Sequence, residues 1–412
     1  MKKRAVITGM GVISPVGNSL ESFWSSLIQG KSGIGWVTRF DVSAMPTKVA
    51  GEVRDFEPTD WMDKKESRRM DRFAQFAVAA AKMAVQDAAL DLEVLDRERA
   101  GAVIGCGIGG VITFEEQKEV LINKGAGRVS PFFVPMLISN MAAGHISMAF
   151  GLQGPSLTIV TACASATNAI GEGMRLIQRG EADVVLCGGT EAPLTELAFA
   201  GFCSMKAMSH EQENPAEACR PFDKRRSGFV MGEGAGILVL ESLEHAQARG
   251  ARIYAEMAGY GSSSDAYHIT SPMPGGKGAA RAMSLALTDA GMEPEAIHYI
   301  NAHGTGTDAN DATETEAIKV VFGKSAHEVP VSSTKSMTGH LMGAAGAIEA
   351  IVCIMAIRNG AVPPTINYGE VDPNCDLDYV PNAAREQDVD VAMSNTFGFG
   401  GHNATIILKK FV

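Results

Sequence analysis

Ser156-Leu157-Thr158-Ile159-Val160-Thr161-Ala162-Cys163-Ala164-Ser165-Ala166-Thr167-Asn168-Ala169-Ile170 changes structural habit at its middle. Up to Val160 it is a short run of β-branched and aliphatic residues, which predicts a buried strand. After Cys163 come small residues and helix formers, continuing through Gly171-Glu172-Gly173-Met174-Arg175-Leu176-Ile177, which predicts a helix. The chain therefore turns sharply from strand to helix, with the Cys163 thiol at the turn. A cysteine at a helix N-terminus feels the positive end of the dipole, which favours its thiolate. The flanking alanines leave room for a tight turn and for a substrate's approach. A buried core cysteine is the alternative reading, and the rest of the chain decides between them.

Apolar strands alternate with helical stretches along all 412 residues, the pattern of an α/β protein. Hydrophobic residues make up 46% and charged residues 20%, enough for a large core in two domains or one duplicated one. A weak internal repeat favours duplication. Ala5–Gly11, Ala102–Gly107, the Cys163 turn and Asp183–Gly189 are strand-plus-glycine segments. Ala255–Gly261, Tyr299–Gly304, Val331–His340 and Asp390–Gly398 follow in the same order at different spacings. The two halves, 1–250 and 251–412, meet just after a helical stretch ending at Gly250.

Net charge is 36 − 47 = −11, which argues against nucleic acid as a partner. The seven cysteines are odd in number, scattered, and never spaced Cys-x-x-Cys. That pattern predicts reduced thiols in a cytoplasmic protein and argues against a zinc site. Met1-Lys2-Lys3-Arg4 precedes an apolar run, yet Gly9, Gly11, Pro15 and Gly17 interrupt it, so it reads as a first strand rather than a signal peptide. No run approaches the ~20 apolar residues of a membrane span, and no membrane partner is expected.

Two histidines lie in glycine-framed turns of the second half. His303 sits in Asn301-Ala302-His303-Gly304-Thr305-Gly306-Thr307, and His340 in Lys335-Ser336-Met337-Thr338-Gly339-His340-Leu341-Met342-Gly343. One turn cysteine with two such histidines suits acyl transfer followed by carbanion chemistry. The thiolate holds an acyl group taken from a thioester. Two neutral imidazoles can donate N–H groups to a thioester oxygen as a β-carboxylate leaves as carbon dioxide. A third turn, Ser394-Asn395-Thr396-Phe397-Gly398-Phe399-Gly400-Gly401-His402-Asn403, could set a backbone N–H beside that of Cys163 as an oxyanion hole.

Thr161–Thr167, Asn301–Thr307, Lys335–Gly346 and Asn395–Asn403, in this order, resemble the β-ketoacyl-[acyl-carrier-protein] synthases of fatty-acid synthesis, over essentially the whole chain. The resemblance implies the thiolase-like fold: two similar βαβαβ halves in a five-layered α-β-α-β-α arrangement, as a homodimer. It implies that Cys163 is the nucleophile and that His303 and His340 assist decarboxylation and condensation. Lys335 resembles the family's lysine behind the histidines, with Glu314 and Asp311 as acidic partners. Thr305 and Thr307 match hydroxyls on the pantetheine arm, and Phe399 a gating aromatic. Ile108, Phe133 and Phe202 match the lining of the acyl pocket, partly across the dimer interface. No redox or nucleotide cofactor is implied, and no catalytic metal, although some members hold a structural monovalent cation near the second-half turns. His402 stands where some members carry Thr, a subgroup variation that leaves the catalytic assignment intact. The rival readings are a stand-alone polyketide ketosynthase and a non-catalytic chain-length partner subunit, the latter opposed by Cys163 with both histidines. A thiolase is disfavoured because its second catalytic cysteine is missing.

An acidic enzyme that docks an acidic carrier protein needs a local basic patch. Lys64, Arg68 and Arg72 are spaced i, i+4, i+8, with Lys65 and Arg69 beside them, which on one helix makes a basic stripe. Lys124, Arg128 and Lys206 would extend it. Asp63, Glu66 and Asp71 read as counter-charges on a solvated face. Gly105-Cys106-Gly107-Ile108-Gly109-Gly110 and Gly232-Glu233-Gly234-Ala235-Gly236 look like phosphate cradles but lack the Lys-Ser/Thr of a P-loop, so both are read as close backbone packing.

Overall fold

The computed structural model describes residues 2–211 and 213–412. The first half contributes β1 (Ala5–Ile13), β2 (Ala100–Gly105), β3 (Ser156–Ile159), β4 (Val184–Glu191) and β5 (Gly234–Ser242). They lie in the order β3-β2-β4-β5-β1. The second half contributes β6 (Ala255–Ser264), β7 (Tyr299–Asn301), β8 (Val331–Ser332), β9 (Val391–Gly398) and β10 (His402–Lys409), in the order β8-β7-β9-β10-β6. The permutation is the same. In each sheet the second strand runs parallel to both neighbours, and the fifth runs antiparallel to the fourth and the first. The sheets join where Ala5–Ile7 of β1 pairs antiparallel with Ala255–Met257 of β6.

Helices fill three layers around the two sheets. On the outer face of the first lie α1 (Arg72–Asp87) and α2 (Met141–Phe150). Between the sheets lies α3 (Ser165–Gln178), against β2 and β4. The outer face of the second sheet carries α4 (Lys277–Ala290) and α5 (Asp308–Phe322). Back in the middle layer, α6 (Ala345–Asn359) packs on β9, β5 and α3. The result is the five-layered thiolase-like arrangement. Of the described helical stretches, Met342–Asn359 is long and apolar enough to cross a membrane by length and composition, but 83% of it is buried inside the fold. A helix apolar on every face belongs to such an interior.

The repeated Gly-x-Gly of β1 and β6 has a packing cause. A Cβ at Gly9 would stand 2.3 Å from the Ala84 carbonyl oxygen, and one at Gly11 2.0 Å from that of Ala80. In the second half, a Cβ at Gly259 would meet the Ala286 oxygen at 2.3 Å, and one at Gly261 the Ala282 oxygen at 2.2 Å. Both sheets thus bring an alanine-rich outer helix into backbone contact at the same two positions. Only glycine permits that approach.

Two expectations fail. The run ending at Val160 forms β3, but β3 is the outer edge of its sheet, with Leu157 45% and Val160 57% exposed. The basic run is not one helix. Lys64–Ser67 is a four-residue helix, and Asp71 begins a new one by capping the Phe73 N–H of α1. Asp71 is buried and also accepts from the Thr113 N–H and hydroxyl, so it is a structural cap rather than a solvated counter-charge.

Candidate active site

The turn after β3 is strained as well as tight. Ala162 holds φ at 50°, a left-handed conformation that an alanine adopts at a cost of ~1–3 kcal/mol. The Ser165 hydroxyl straps it, accepting from the Thr161 N–H at 2.9 Å and donating to the Ala162 carbonyl at 2.6 Å. Cys163 thereby stands at the N-terminus of α3 and opens on a cavity of about 570 Å³. Gly398 lies against it, its ideal Cβ position 3.0 Å from the Cys163 nitrogen. The backbone N–H groups of Phe399 and of Cys163 itself are directed at the thiol. These are the two N–H groups that the sequence places side by side.

His340 Nε2 lies 3.0 Å from Cys163 Sγ. The His303 ring crosses that of His340 at 85°, centroids 5.3 Å apart. Each histidine is held by its backbone. The His340 N–H donates to the Val230 carbonyl at 2.7 Å, and the His340 carbonyl accepts from the Gly232 N–H at 2.9 Å. Glu314 accepts from the His303 and Gly304 N–H groups, each at 2.8 Å. Burial, then the positive charge of Lys335, holds both imidazoles well below their usual range, so both are neutral near pH 7. Burial likewise pushes the Cys163 thiol up to about 12, against the pull of Lys335 and the two N–H groups. The helix terminus favours the thiolate, but burial outweighs it and the resting group is the thiol.

Lys335 does not pair with Glu314 or Asp311. Its ammonium forms an ion pair with Glu349 of α6, both side chains 1% exposed. Glu314 feels Lys335 only at longer range; burial raises it to about 7. Asp311 accepts from the Phe222 N–H at 2.7 Å and the Gly306 N–H at 3.2 Å. It supports the turn that carries Thr305 and Thr307, whose hydroxyls lie 2.9 Å apart.

Ile108, Phe202, Lys206, Thr305, Thr307 and Phe399 all line the cavity. The Phe202 ring bridges Phe399, at 6.4 Å, and Phe229, at 5.6 Å, and Phe229 stands edge-on to His340. Phe133 is half-buried in the short helix Phe133–Leu137 and does not reach the cavity within one chain. Lys64, Lys65, Arg68, Arg69, Lys124 and Arg128 are exposed, Arg69 lying 4.6 Å over the Phe132 ring. Arg72 is spent elsewhere: its guanidinium makes a bidentate bond to the fully buried Glu233 and donates to the Val53 carbonyl. It belongs to the core, not to a docking stripe.

Sequence reasoning missed Glu349, Phe229 and Glu191. It also missed that Asn301 Oδ1, Glu349 Oε2 and Ser394 Oγ are among the buried oxygens of the described residues that lack a hydrogen-bond partner. Asn301 and Ser394 face one another in the pairing of β7 with β9. An all-oxygen set of this kind suits a hard cation.

The Beta-ketoacyl synthase N-terminal domain family model matches residues 2–246, and the corresponding C-terminal domain model matches residues 254–369. The chain is 54% identical over 410 residues to a 3-oxoacyl-[acyl-carrier-protein] synthase 2 of Synechocystis, covering 100% of this chain and 99% of that one. It is 54% identical over 409 residues to the Staphylococcus aureus protein described in the same words, covering 99% of each. A β-ketoacyl synthase from Burkholderia phymatum superposes with a TM-score of 0.92 at 37% identity, over 100% of both chains. A type II polyketide ketosynthase, solved in complex with its acyl-carrier protein, superposes with a TM-score of 0.92 at 36% identity, again over 100% of both chains.

Proposed function

The chain belongs to the β-ketoacyl synthase family, and from that premise we infer that it condenses acyl-[acyl-carrier-protein] with malonyl-[acyl-carrier-protein] in fatty-acid elongation. The observation that carries the reading is the contact of Cys163 Sγ with a neutral His340 Nε2 at 3.0 Å, beneath two backbone N–H donors. Polyketide ketosynthases share this fold, but the relatives at 54% identity are described as 3-oxoacyl-[acyl-carrier-protein] synthases and not as polyketide enzymes.

The first half, residues 1–250, supplies the nucleophile, and the second, residues 251–412, supplies the histidines. His340 takes the Cys163 proton as the sulfur attacks the acyl thioester. The N–H groups of Cys163 and Phe399 receive the oxyanion. The acyl–sulfur bond to the carrier breaks, the carrier thiol takes up the proton, and the acyl chain rests on Cys163. Malonyl-carrier then enters past Thr305 and Thr307. His303 and His340 donate N–H groups to its thioester oxygen as the carbon–carboxylate bond breaks and carbon dioxide leaves. The enolate carbon attacks the acyl-Cys163 carbonyl. The carbon–sulfur bond breaks, β-ketoacyl-carrier departs, and the thiolate takes up one proton from solvent, the proton that the overall reaction consumes.

The carrier docks on Lys64, Lys65, Arg68, Arg69, Arg128 and Lys206, of which Lys206 reaches the cavity mouth. A monovalent cation, where bound, would be held by Asn301, Glu349 and Ser394, and would supply positive charge to the free Glu349 oxygen. The working enzyme is a homodimer joined at the β3 edge. Leu157 and Val160 are exposed there, and α2, which packs on β3, exposes Met148 at 65%. An exposed apolar strand edge calls for a partner. A monomer by light scattering, in buffer that sustains activity, would refute that pairing.

The test of function is incubation with acyl-carrier thioesters of graded length, followed by peptide mass spectrometry. The expected result is one acyl group, on Cys163, discharged as β-ketoacyl-carrier when malonyl-carrier is added. Acylation at another residue, or elongation without acyl-Cys163, refutes the scheme.

A further inference from the structure

The loop Gly105–Gly110, which follows β2, resembles an anion cradle in sequence, and in the folded chain it cradles a carboxyl group of the chain's own, one that burial raises against the pull of the loop's N–H groups. Glu191, the last residue of β4, is completely buried. Its Oε2 accepts from the Gly107 N–H at 2.7 Å and from the Gly343 N–H at 3.0 Å. Its Oε1 accepts from the Ile108 N–H at 3.0 Å, the Gly109 N–H at 3.3 Å and the Cys106 thiol at 3.4 Å. Successive backbone N–H groups turned on one carboxylate form a nest. Two loops share it: Gly343 comes from the turn after His340, and Gly107, Ile108 and Gly343 all line the cavity. The joint admits no side chain, because a Cβ at Gly343 would stand 2.5 Å from Glu191 Oε2 and 2.4 Å from the Gly107 nitrogen.

No step of the condensation uses Glu191. We propose that Glu191 is a positioning residue that ties the acyl-pocket wall at Ile108 to the Met342–Gly343 turn, and so governs which acyl chains Cys163 accepts. This rests on the reading of Cys163 as the acyl carrier. Both histidines, which serve decarboxylation, have anchors of their own, His340 through Val230 and Gly232 and His303 through Glu314, whereas the acyl-pocket wall at Ile108 hangs on Glu191. Loss of Glu191 therefore loosens acyl transfer more than carbon dioxide release. The carboxylate also opposes ionisation of the Cys163 thiol, so its charge and its reach can be tested apart.

Glu191→Gln keeps the length but offers one acceptor oxygen, so its NH₂ must face either the Gly107–Gly343 pair or the Ile108–Gly109 pair of donors. Glu191→Asp keeps the charge on a shorter stem that cannot reach both loops. For wild type and both variants, the rate of acyl-Cys163 formation across graded acyl lengths is set beside the rate of malonyl decarboxylation. Each variant should lose about tenfold more in acyl transfer than in decarboxylation, as expected when hydrogen bonds to a charged group are lost, and the ratio of long-chain to short-chain rates should change. Alkylation of Cys163 at a fixed alkaline pH should accelerate in Glu191→Gln and not in Glu191→Asp. Equal losses in both half-reactions with the wild-type length ratio, or the same alkylation response from both variants, would overturn the proposal. Amide hydrogen exchange on the wild-type enzyme tests it without a variant. The Gly107–Gly109 and Gly343 amides should be protected and open together, and rapid exchange there refutes the joint. Should wild type itself fail to acylate Cys163, the fault lies in the reading of Cys163 and not in the role of Glu191.

Discussion

Replacing Lys335 by Met puts the buried ion pair to a quantitative test. Lys335 and Glu349 are each 1% exposed, so the substitution leaves Glu349 with neither a countercharge nor water. Removing one partner of such a pair costs ~3–5 kcal/mol, because a buried charge is left uncompensated. Protonation returns part of this, since burial already raises Glu349. Lys335→Met/Glu349→Gln removes both charges and should cost less than the sum of the single variants, with a coupling of about 2 kcal/mol or more. Lys335→Met with Glu314→Gln should be close to additive, within about 1 kcal/mol, because Glu314 spends its oxygens on the His303 and Gly304 N–H groups. Urea unfolding of the five proteins and wild type, read by fluorescence and circular dichroism together, supplies the cycles. A larger coupling to Glu314 than to Glu349 refutes the assignment. The same variant has a pH signature. The Lys335 charge is the second cause, after burial, that depresses both imidazoles. Without it they protonate at higher pH, and His340 can no longer accept the thiol proton there. The acid limb of acyl transfer in Lys335→Met should therefore move to higher pH, and an unmoved limb rules out the electrostatic role.

Cys163→Ala should abolish acyl-enzyme and elongation while malonyl decarboxylation continues through the histidines. Residual chain elongation by that variant would end the covalent scheme. His303→Ala and His340→Ala should each slow carbon dioxide release by about 10²-fold, the usual loss for one preorganised donor, and normal release from either removes that residue from its role. Arg68→Glu with Arg69→Glu should raise KM for carrier-linked substrates and spare small thioesters, whereas Arg72→Glu should lower Tm by setting a carboxylate against the buried Glu233. A stable Arg72→Glu protein with only a KM defect would return Arg72 to the docking surface.

The grouping of Cys163, His303 and His340 was legible because its setting is abnormal for a core. Small residues around Cys163 and glycines around both histidines leave those side chains nothing to pack, so a chemical role was the better explanation. The duplication was legible because the same Gly-x-Gly is needed wherever an outer helix touches the first strand of a half. What could not be read had ordinary local surroundings. Glu349 is the one acidic residue in a helix otherwise apolar up to Arg358 in its last turn, so no periodicity marks its partner, which stands 14 positions away at Lys335. The i, i+4, i+8 spacing of Lys64, Arg68 and Arg72 mimicked one helix, although Asp71 interrupts it as a cap. The exposure of β3 was hidden for another reason: composition does not distinguish a strand buried by its own chain from one left for a second copy.

Two opposed effects act on the Cys163 thiol, the helix terminus and burial, and their magnitudes set its state. A helix N-terminus stabilises an anion by 0.3–1 kcal/mol, and by ~2 kcal/mol in favourable, partly buried geometries. Holding the thiol at about 12 rather than its ordinary 9.0 represents about 4 kcal/mol against the thiolate, net of the help from Lys335 and two N–H groups. Burial wins, and the resting site is a thiol beside a neutral imidazole. A thiol is a weaker nucleophile than its thiolate, and one proton transfer over the 3.0 Å contact to His340 creates the nucleophile when a thioester is in place. The same burial that suppresses the thiolate keeps both histidines neutral, so one desolvated pocket sets all three groups for both half-reactions. It follows that the rate of Cys163 alkylation in the free enzyme should climb with pH through 9 without levelling. A plateau near neutrality would mean that the thiolate is already formed and that the helix terminus, not His340, makes the nucleophile.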